Sequence, residues 1–274
     1  MIVWLGERDC SIQRRHQKLI EESPGPAVDG RLRAKLGAAA VAVAAAARYE
    51  NAGTAEFLVA PDGSFVFLEM NTRLQVEHPV TEAVTGLDLV ALQLRVAAGE
   101  RLPFAQDAIR SSGAAIELRI TAEDPFAGFV PQGGRVDFVR EPSGPGIRMD
   151  SGLAAPLTVP TEYDPLLAKL VVWGPDRTAA IARARRAVRE MIVAGVPTSL
   201  PFHSFVLGEP DFTAGRYDTD YVATHWGRPV APEISEGAAL AAALAGIARV
   251  RSRPRPVATE APPWTRAARE DMLR

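Results

Sequence analysis

Cysteine is nearly absent. Cys10 stands alone among 274 residues, which excludes an internal disulfide and fits a reducing compartment. Long apolar runs are also missing. The longest, Leu36 to Ala47, is alanine-rich, bracketed by Lys35 and Arg48, and too short to span a bilayer. Neither sign of charge dominates: a formal net charge of −2 gives no global attraction to nucleic acid or an anionic membrane. The start, MIVWLGERDC, lacks a positive segment before an apolar stretch, so no secretory signal is expected. Lysine is limited to Lys18, Lys35 and Lys169, and no repeat of fixed period occurs. These absences predict a cytoplasmic protein with no membrane or nucleic-acid partner. What is present, 47% hydrophobic and 23% charged residues, is enough for a sizeable core.

The pattern predicts a short strand over Ile2–Leu5, then a polar turn through GERDCSIQRRHQK. Asp29 is placed to cap a helix from about Arg31 to Tyr49, with Gly53 following its end. Ala55–Ala60 and Phe65–Asn71 read as strands joined by Pro61-Asp62-Gly63-Ser64, a hairpin signal. Helices are expected near Val80–Val84 and Asp88–Ala98. Strands follow at Ala114–Ala122, Gly134–Val139, Gly146–Ser151 and Leu166–Trp173. Arg177–Val193 is an amphipathic helix with Ile181, Ala184, Val188 and Ile192 on one stripe. After Trp226 a helix over Glu236–Val250, the linker RSRPRPVATEAPP and a short helix in WTRAAREDMLR are expected. Hairpins mixed with helices indicate an α+β fold.

The stretch EMNTRLQVE, Glu69 to Glu77, alternates with period two. As an extended strand it puts Glu69, Asn71, Arg73, Gln75 and Glu77 on one strip. A hairpin symmetric about Asp62 and Gly63 sets Glu56 opposite Glu69, Phe57 opposite Leu68 and Leu58 opposite Phe67. Directly opposed carboxylates cost roughly 0.2–1 kcal/mol relative to neutral pairs. Solvent could absorb that cost, or a divalent cation could turn it into attraction, with Asn71 adding an oxygen. Oxygen-only ligands favour Mg²⁺ or Mn²⁺ over Zn²⁺. Arg73 offers a planar fork for carboxylate, carbonate or phosphate oxygens. Glu77 has the chemistry of a general base. His78 falls on the opposite face and reads as a packed or capping residue.

FLEMNTRLQVEHPVTEAVTG resembles the signature of the biotin carboxylase family, ATP-grasp enzymes of acetyl-CoA, propionyl-CoA and pyruvate carboxylases. GERDCSIQRRHQKLIEE, GAAIELRITAEDP, PSGPGIRMDSG and YDPLLAKLVVWG extend the resemblance up to about Trp226. It implies the C-terminal half of an ATP-grasp fold over 1–100 and a biotin carboxylase C-terminal domain over 101–226, mostly antiparallel sheet with flanking helices. Residues 227–274 would be a linker or partner-docking extension. The resemblance also implies that Glu56, Glu69 and Asn71 hold Mg²⁺ or Mn²⁺ on the phosphates of ATP. Gln13 and His16 would contact the nucleotide, and Leu58 would border the adenine. Lys18, Arg73, Gln75 and Val76 would surround bicarbonate. Glu77 would deprotonate bicarbonate for attack on the γ-phosphate, giving carboxyphosphate. Arg119, on the polar face of an alternating strand, would stabilise the biotin enolate and help hold bicarbonate.

The family places an N-terminal domain and a Gly-rich lid before the segment seen here, so activity of this chain alone is expected to be weak or nil. Gly113-Ala114 stands where the family often has Gly-His. Pro145 replaces a frequent aromatic near a dimer interface, which bears on a possible homodimer. No lysine has a methionine neighbour, so biotin is expected on a separate carrier protein or domain. A further expected partner is the carboxyltransferase subunit. The alternative reading is a non-catalytic carboxylase fragment that binds a carrier or another carboxylase subunit.

Overall fold

The polar segment expected as a turn folds as a hairpin. Strands β1 (Asp9–Arg14) and β2 (Gln17–Ser23) pair antiparallel, with Arg14 opposite Gln17. Arg15 and His16 between them both adopt left-handed backbone, φ 49° and 65°. Two such residues match the twist of the flanking strands, a turn usually built from Asn-Gly. Without those residues the hairpin carries no sequence signal.

The structure, a computed structural model, describes residues 1–227. After β2 come α1 (Gly30–Ala46), β3 (Thr54–Val59), β4 (Phe65–Asn71), α2 (His78–Thr85) and α3 (Leu89–Ala97). Then follow β5 (Ala114–Thr121), β6 (Glu123–Asp124), β7 (Val130–Pro131), β8 (Gly134–Val136), β9 (Phe138–Arg140), β10 (Ile147–Ser151), β11 (Leu157–Val159) and β12 (Leu166–Gly174). The chain continues through α4 (Arg177–Glu190), β13 (Ile192–Ala194), α5 (Leu200–Gly208) and α6 (Pro210–Thr213). The main sheet has the order β1-β2-β5-β12-β10, antiparallel throughout. The fold is α+β with flanking helices, as the sequence predicts.

One face of the sheet is apolar. Ile20, Ile116, Leu118, Ile120, Leu170 and Val172 pack against Ile181, Ala184 and Val188 of α4 and Phe202 and Val206 of α5. On the other face Ala115 and Val171 pack on Val80 and Val84 of α2. Cross-strand register puts Glu21 beside Glu117, and Lys169 beside Arg119. β5 therefore alternates apolar and polar residues, yet both of its faces are covered and Arg119 lies on a central strand.

Several expectations are corrected. Ile2–Leu5 forms no strand, because the side-chain amide of Gln106 takes the place of a partner strand. Gln106 Oε1 accepts from the Trp4 N–H at 2.8 Å and its Nε2 donates to the Trp4 carbonyl at 2.9 Å. Asp29 does cap α1, accepting from the Leu32 N–H at 2.7 Å. The helix stops at Ala46, before Tyr49, and Arg48 turns left-handed at φ 49°. Gly53 is not its cap; a Cβ there would lie 2.8 Å from Met70 Cε. The expected strand Gly134–Val139 splits, because β8 pairs with β11 while β9 pairs with β13. That second pairing also ends α4 at Glu190 and removes Ile192 from the helical stripe. The helices and linker expected beyond Trp226 lie outside the described residues.

Candidate active site

The β3–β4 ribbon puts Glu56 opposite Glu69, Ala55 opposite Met70 and Thr54 opposite Asn71. Nearer the turn the expected pairs fail: Phe57 faces Phe67 and Leu58 faces Val66. The loop is three residues, closed by the Ala60 N–H to Ser64 carbonyl bond at 2.8 Å, with Gly63 at φ +77°. Such a loop alone would set Glu56 opposite Leu68. A register shift between Glu56 and Phe57 absorbs one extra residue of β4 and restores the acid pair.

Asn71 Nδ2 donates to Glu56 Oε1 at 3.2 Å and to Glu69 Oε1 at 3.0 Å. One nitrogen thus bridges two carboxylates, the position an oxygen-seeking cation would take. Turning the Asn71 amide over would present its Oδ1 and complete a three-oxygen set, so these residues fit Mg²⁺ or Mn²⁺. Leu58, two residues from Glu56 along β3, is exposed.

The strip Glu69–Glu77 is not one strand. β4 ends at Asn71, and the chain then turns, with the His78 N–H donating to the Gln75 carbonyl at 3.2 Å. Arg73 stays exposed near Asn71, donating to its Oδ1 at 3.3 Å. Gln75 and Glu77 are swung inward and buried. Gln75 Nε2 donates to Glu56 Oε1 at 2.9 Å, while its Oε1 accepts from Arg8 at 2.8 Å. The Val76 carbonyl accepts from Lys169 at 3.0 Å. His78 packs by its Nδ1, 2.9 Å from the Gln75 carbonyl.

Glu77 is the centre of the cluster. It is only 2% exposed, and one oxygen accepts from Lys18 at 2.6 Å while the other accepts from Arg119 at 3.0 Å. Lys18 also reaches Glu56 at 3.1 Å, and Arg119 Nε donates to Glu21 at 2.5 Å. Burial alone would push the Glu77 carboxyl up, but Arg8 and Lys18 overcome it and hold it below the usual range. Burial opposes the Lys18 ammonium, yet Cys10 and Glu77 keep its pKa raised. Glu77 is therefore an anion flanked by cations at neutral pH. The Arg119 backbone is fixed from behind: its carbonyl accepts from Ser199 at 2.8 Å and from His203 Nε2 at 2.7 Å. Burial drops His203 to about 4, so the ring is neutral.

Of the residues singled out in the sequence, the structure brings together Lys18, Glu56, Gln75, Glu77 and Arg119. Glu69 and Asn71 join through Glu56. Gln13 and His16 stand at the tip end of the β1–β2 hairpin, and Arg73 lies outside the Glu77 cluster. Sequence reasoning missed Arg8, Glu21, Glu117 and Lys169. Glu117 carried one signal, its alternation with Arg119 along β5; Arg8 sits in an irregular segment with none.

Residues 1–105 match the family model of the carbamoyl-phosphate synthase L chain ATP binding domain, and residues 117–224 match the biotin carboxylase C-terminal domain. A biotin carboxylase of Nostoc is 52% identical over 221 residues, covering 81% of this chain and 49% of the relative. The chloroplastic biotin carboxylase of Arabidopsis thaliana is 50% identical over 224 residues, covering 82% and 42%. Among solved structures, the biotin carboxylase domain of a thermophilic 2-oxoglutarate carboxylase bound to bicarbonate superposes with a TM-score of 0.81 at 43% identity, covering 83% of this chain and 52% of that one. A Campylobacter jejuni biotin carboxylase in complex with a β,γ-ATP ligand gives 0.79 at 46% identity, covering 81% and 50%. The chain spans about half the length of the curated relatives it matches.

Proposed function

The chain belongs to the biotin carboxylase family, and from that premise we propose that it contributes the metal-binding and bicarbonate-activating part of an ATP-dependent biotin carboxylation. The observation that carries the reading is Glu77 held between Lys18 at 2.6 Å and Arg119 at 3.0 Å, beside the Glu56–Asn71–Glu69 bridge.

Lys18 and Arg119, one on each oxygen of Glu77, are the two cations that would receive a small oxyanion. Bicarbonate entering between them would draw both cations off Glu77. A carboxylate that loses its cations becomes a stronger base, so substrate binding itself would ready Glu77 to take the bicarbonate proton. Gln75 and the Val76 backbone, anchored by Arg8 and Lys169, would orient the anion. Arg73, on the Asn71 side, would meet the phosphates or the product. A Mg²⁺ or Mn²⁺ ion held by Glu56, Glu69 and Asn71 would neutralise phosphate charge during transfer to bicarbonate. Arg119 would then face the biotin enolate. Gln13, His16 and Leu58 would border the nucleotide. Biotin would arrive on a carrier protein or domain, and a carboxyltransferase subunit would use the product. Methylcrotonoyl-CoA and pyruvate carboxylases are among the relatives, and one solved relative is a domain dimer.

The test is bicarbonate- and biotin-dependent phosphate release from Mg-ATP, with the chain combined with a separately expressed N-terminal half of a relative. Activity that depends on this chain and is lost in Glu77→Gln supports the reading. Activity that Glu77→Gln leaves intact, or none with a relative's half that is active with its own partner, overturns it.

A further inference from the structure

Two buried acids stand directly behind Arg119 and have no place in the chemistry above. Glu21 and Glu117 are cross-strand neighbours on β2 and β5, and both are 0% exposed. Glu21 Oε1 accepts from Arg119 Nε, but Glu21 Oε2 and both oxygens of Glu117 are buried without a hydrogen-bond partner. Adjacent carboxylates in a dry setting do not both ionise, because the second charge has neither water nor a counter-ion to itself.

We propose that Glu21 and Glu117 hold one proton between them and act together as the positioning element for Arg119. Glu117 is the uncharged member, having no donor to stabilise an anion. Burial raises Glu21 as well, to about 7, but its bond to Arg119 makes it the member that gives up its proton first and carries the charge. The groups facing the pair are consistent with this. β1 supplies Cys10, β2 supplies Lys18, β5 supplies Arg119, β12 supplies Lys169, and the start of α2 supplies Glu77. α2 otherwise covers this face with Val80 and Val84. Burial pushes Glu117 well up and the charge on Glu21 pushes it further, with Lys169 and Arg119 opposing too weakly to reverse it. Were both acids charged, the guanidinium would be shared among three carboxylates. With Glu117 neutral, the guanidinium is left to two carboxylates: Nε and Nη2 both lie on Glu21 Oε1, and Nη2 also reaches Glu77 at 3.0 Å. That Arg119 thereby faces the reacting anion rests on the proposed function; the proton count does not.

The experiment uses the full chain without substrate. Infrared difference spectra between wild type and Glu117→Gln at neutral pH should show the carbonyl band of a protonated acid that the variant lacks. The Arg119 Nε–H resonance in ¹⁵N-labelled protein should move as the pair loses its proton at higher pH, and stay constant in Glu117→Gln. In Glu21→Gln that proton should exchange with water about tenfold faster, the loss of one charge-assisted hydrogen bond. If Glu117→Gln does not fold, ¹³C carboxyl resonances of wild type decide: one protonated buried glutamate supports the pair, two ionised ones overturn it. Absence of the acid band, or an Arg119 signal that titrates equally in both proteins, also overturns it. Failure of bicarbonate to bind would remove the proposed function and leave these readouts standing.

Discussion

Replacing Glu77 with glutamine should cost much activity and little stability, and the structure says why. Each charge-assisted bond to Glu77 is worth roughly 1.5–3 kcal/mol. Breaking a buried pair usually costs about 3–5 kcal/mol because the surviving partner is left uncompensated. Here neither cation is stranded. Lys18 keeps Glu56 at 3.1 Å, and Arg119 keeps Glu21 at 2.5 Å. Glutamine still offers one acceptor, and removing the charge relieves repulsion with Glu21. The expected loss is therefore about 1–2 kcal/mol, below the range for stranding. Bicarbonate-dependent phosphate release, in contrast, should fall by about 10²–10⁴-fold, the contribution of a general base. Urea denaturation of the two proteins, with turnover measured after each is combined with the separately expressed N-terminal half of a relative, tests both parts of this expectation. A loss above about 4 kcal/mol would show that Glu77 alone compensates its cations. Turnover within about threefold of wild type would remove Glu77 from the proton transfer.

Other outcomes follow from the same structure. Arg177→Ala should cost about 3 kcal/mol in urea denaturation, the low end for a broken buried pair, because Glu22, buried at 2% exposure, loses the guanidinium that holds it at 2.6 and 3.0 Å and keeps only the Tyr217 hydroxyl as donor; a loss under about 1 kcal/mol would contradict this. Gly113→Ala should lower the melting temperature, since its Cβ would collide with the Gly174 carbonyl at a φ of +72°; an unchanged melting temperature would refute it. Glu56→Gln should abolish Mn²⁺ binding seen by electron paramagnetic resonance, whereas Leu58→Ala should leave it within about twofold, as Leu58 donates no oxygen. Glu117 has its folded pKa raised above the unfolded value, so its contribution is full below the unfolded pKa and is lost as pH rises toward the folded one. Wild type should therefore lose up to about 1.4 kcal/mol per pH unit relative to Glu117→Gln in that window; parallel stability curves would refute it.

The long, periodic elements were legible. α1, α2, α3, β5 and β12 lie close to where their apolar spacing and caps put them, because propensity and packing agree there. The β1–β2 hairpin was not, because Arg15 and His16 adopt a backbone that their side chains do not advertise. β9 and β13 were hidden because each is three residues long and finds its partner far along the chain. In the site, the alternation of 69–77 singled out Glu69 and Glu77 and the hairpin symmetry singled out Glu56, and the structure brings the three acids near one another by a different route. The acid pair survives through a register shift that compensates a misjudged loop, and Glu77 reaches Lys18 by leaving the strand rather than by extending it. Arg8, Glu21 and Lys169 were invisible because only tertiary register carries them to Glu77 and Arg119.

The pairing of β2 with β5 has a mechanical consequence. The stretch that matches an ATP-binding module and the stretch that matches a C-terminal module are stitched by a continuous ladder of backbone bonds, not joined by a swivel. Cutting the chain between them would bare two raw sheet borders that seek each other again. Lys18 and Arg119 thus ride together on one stiff slab, while β3 and β4 form a separate two-stranded ribbon beside it.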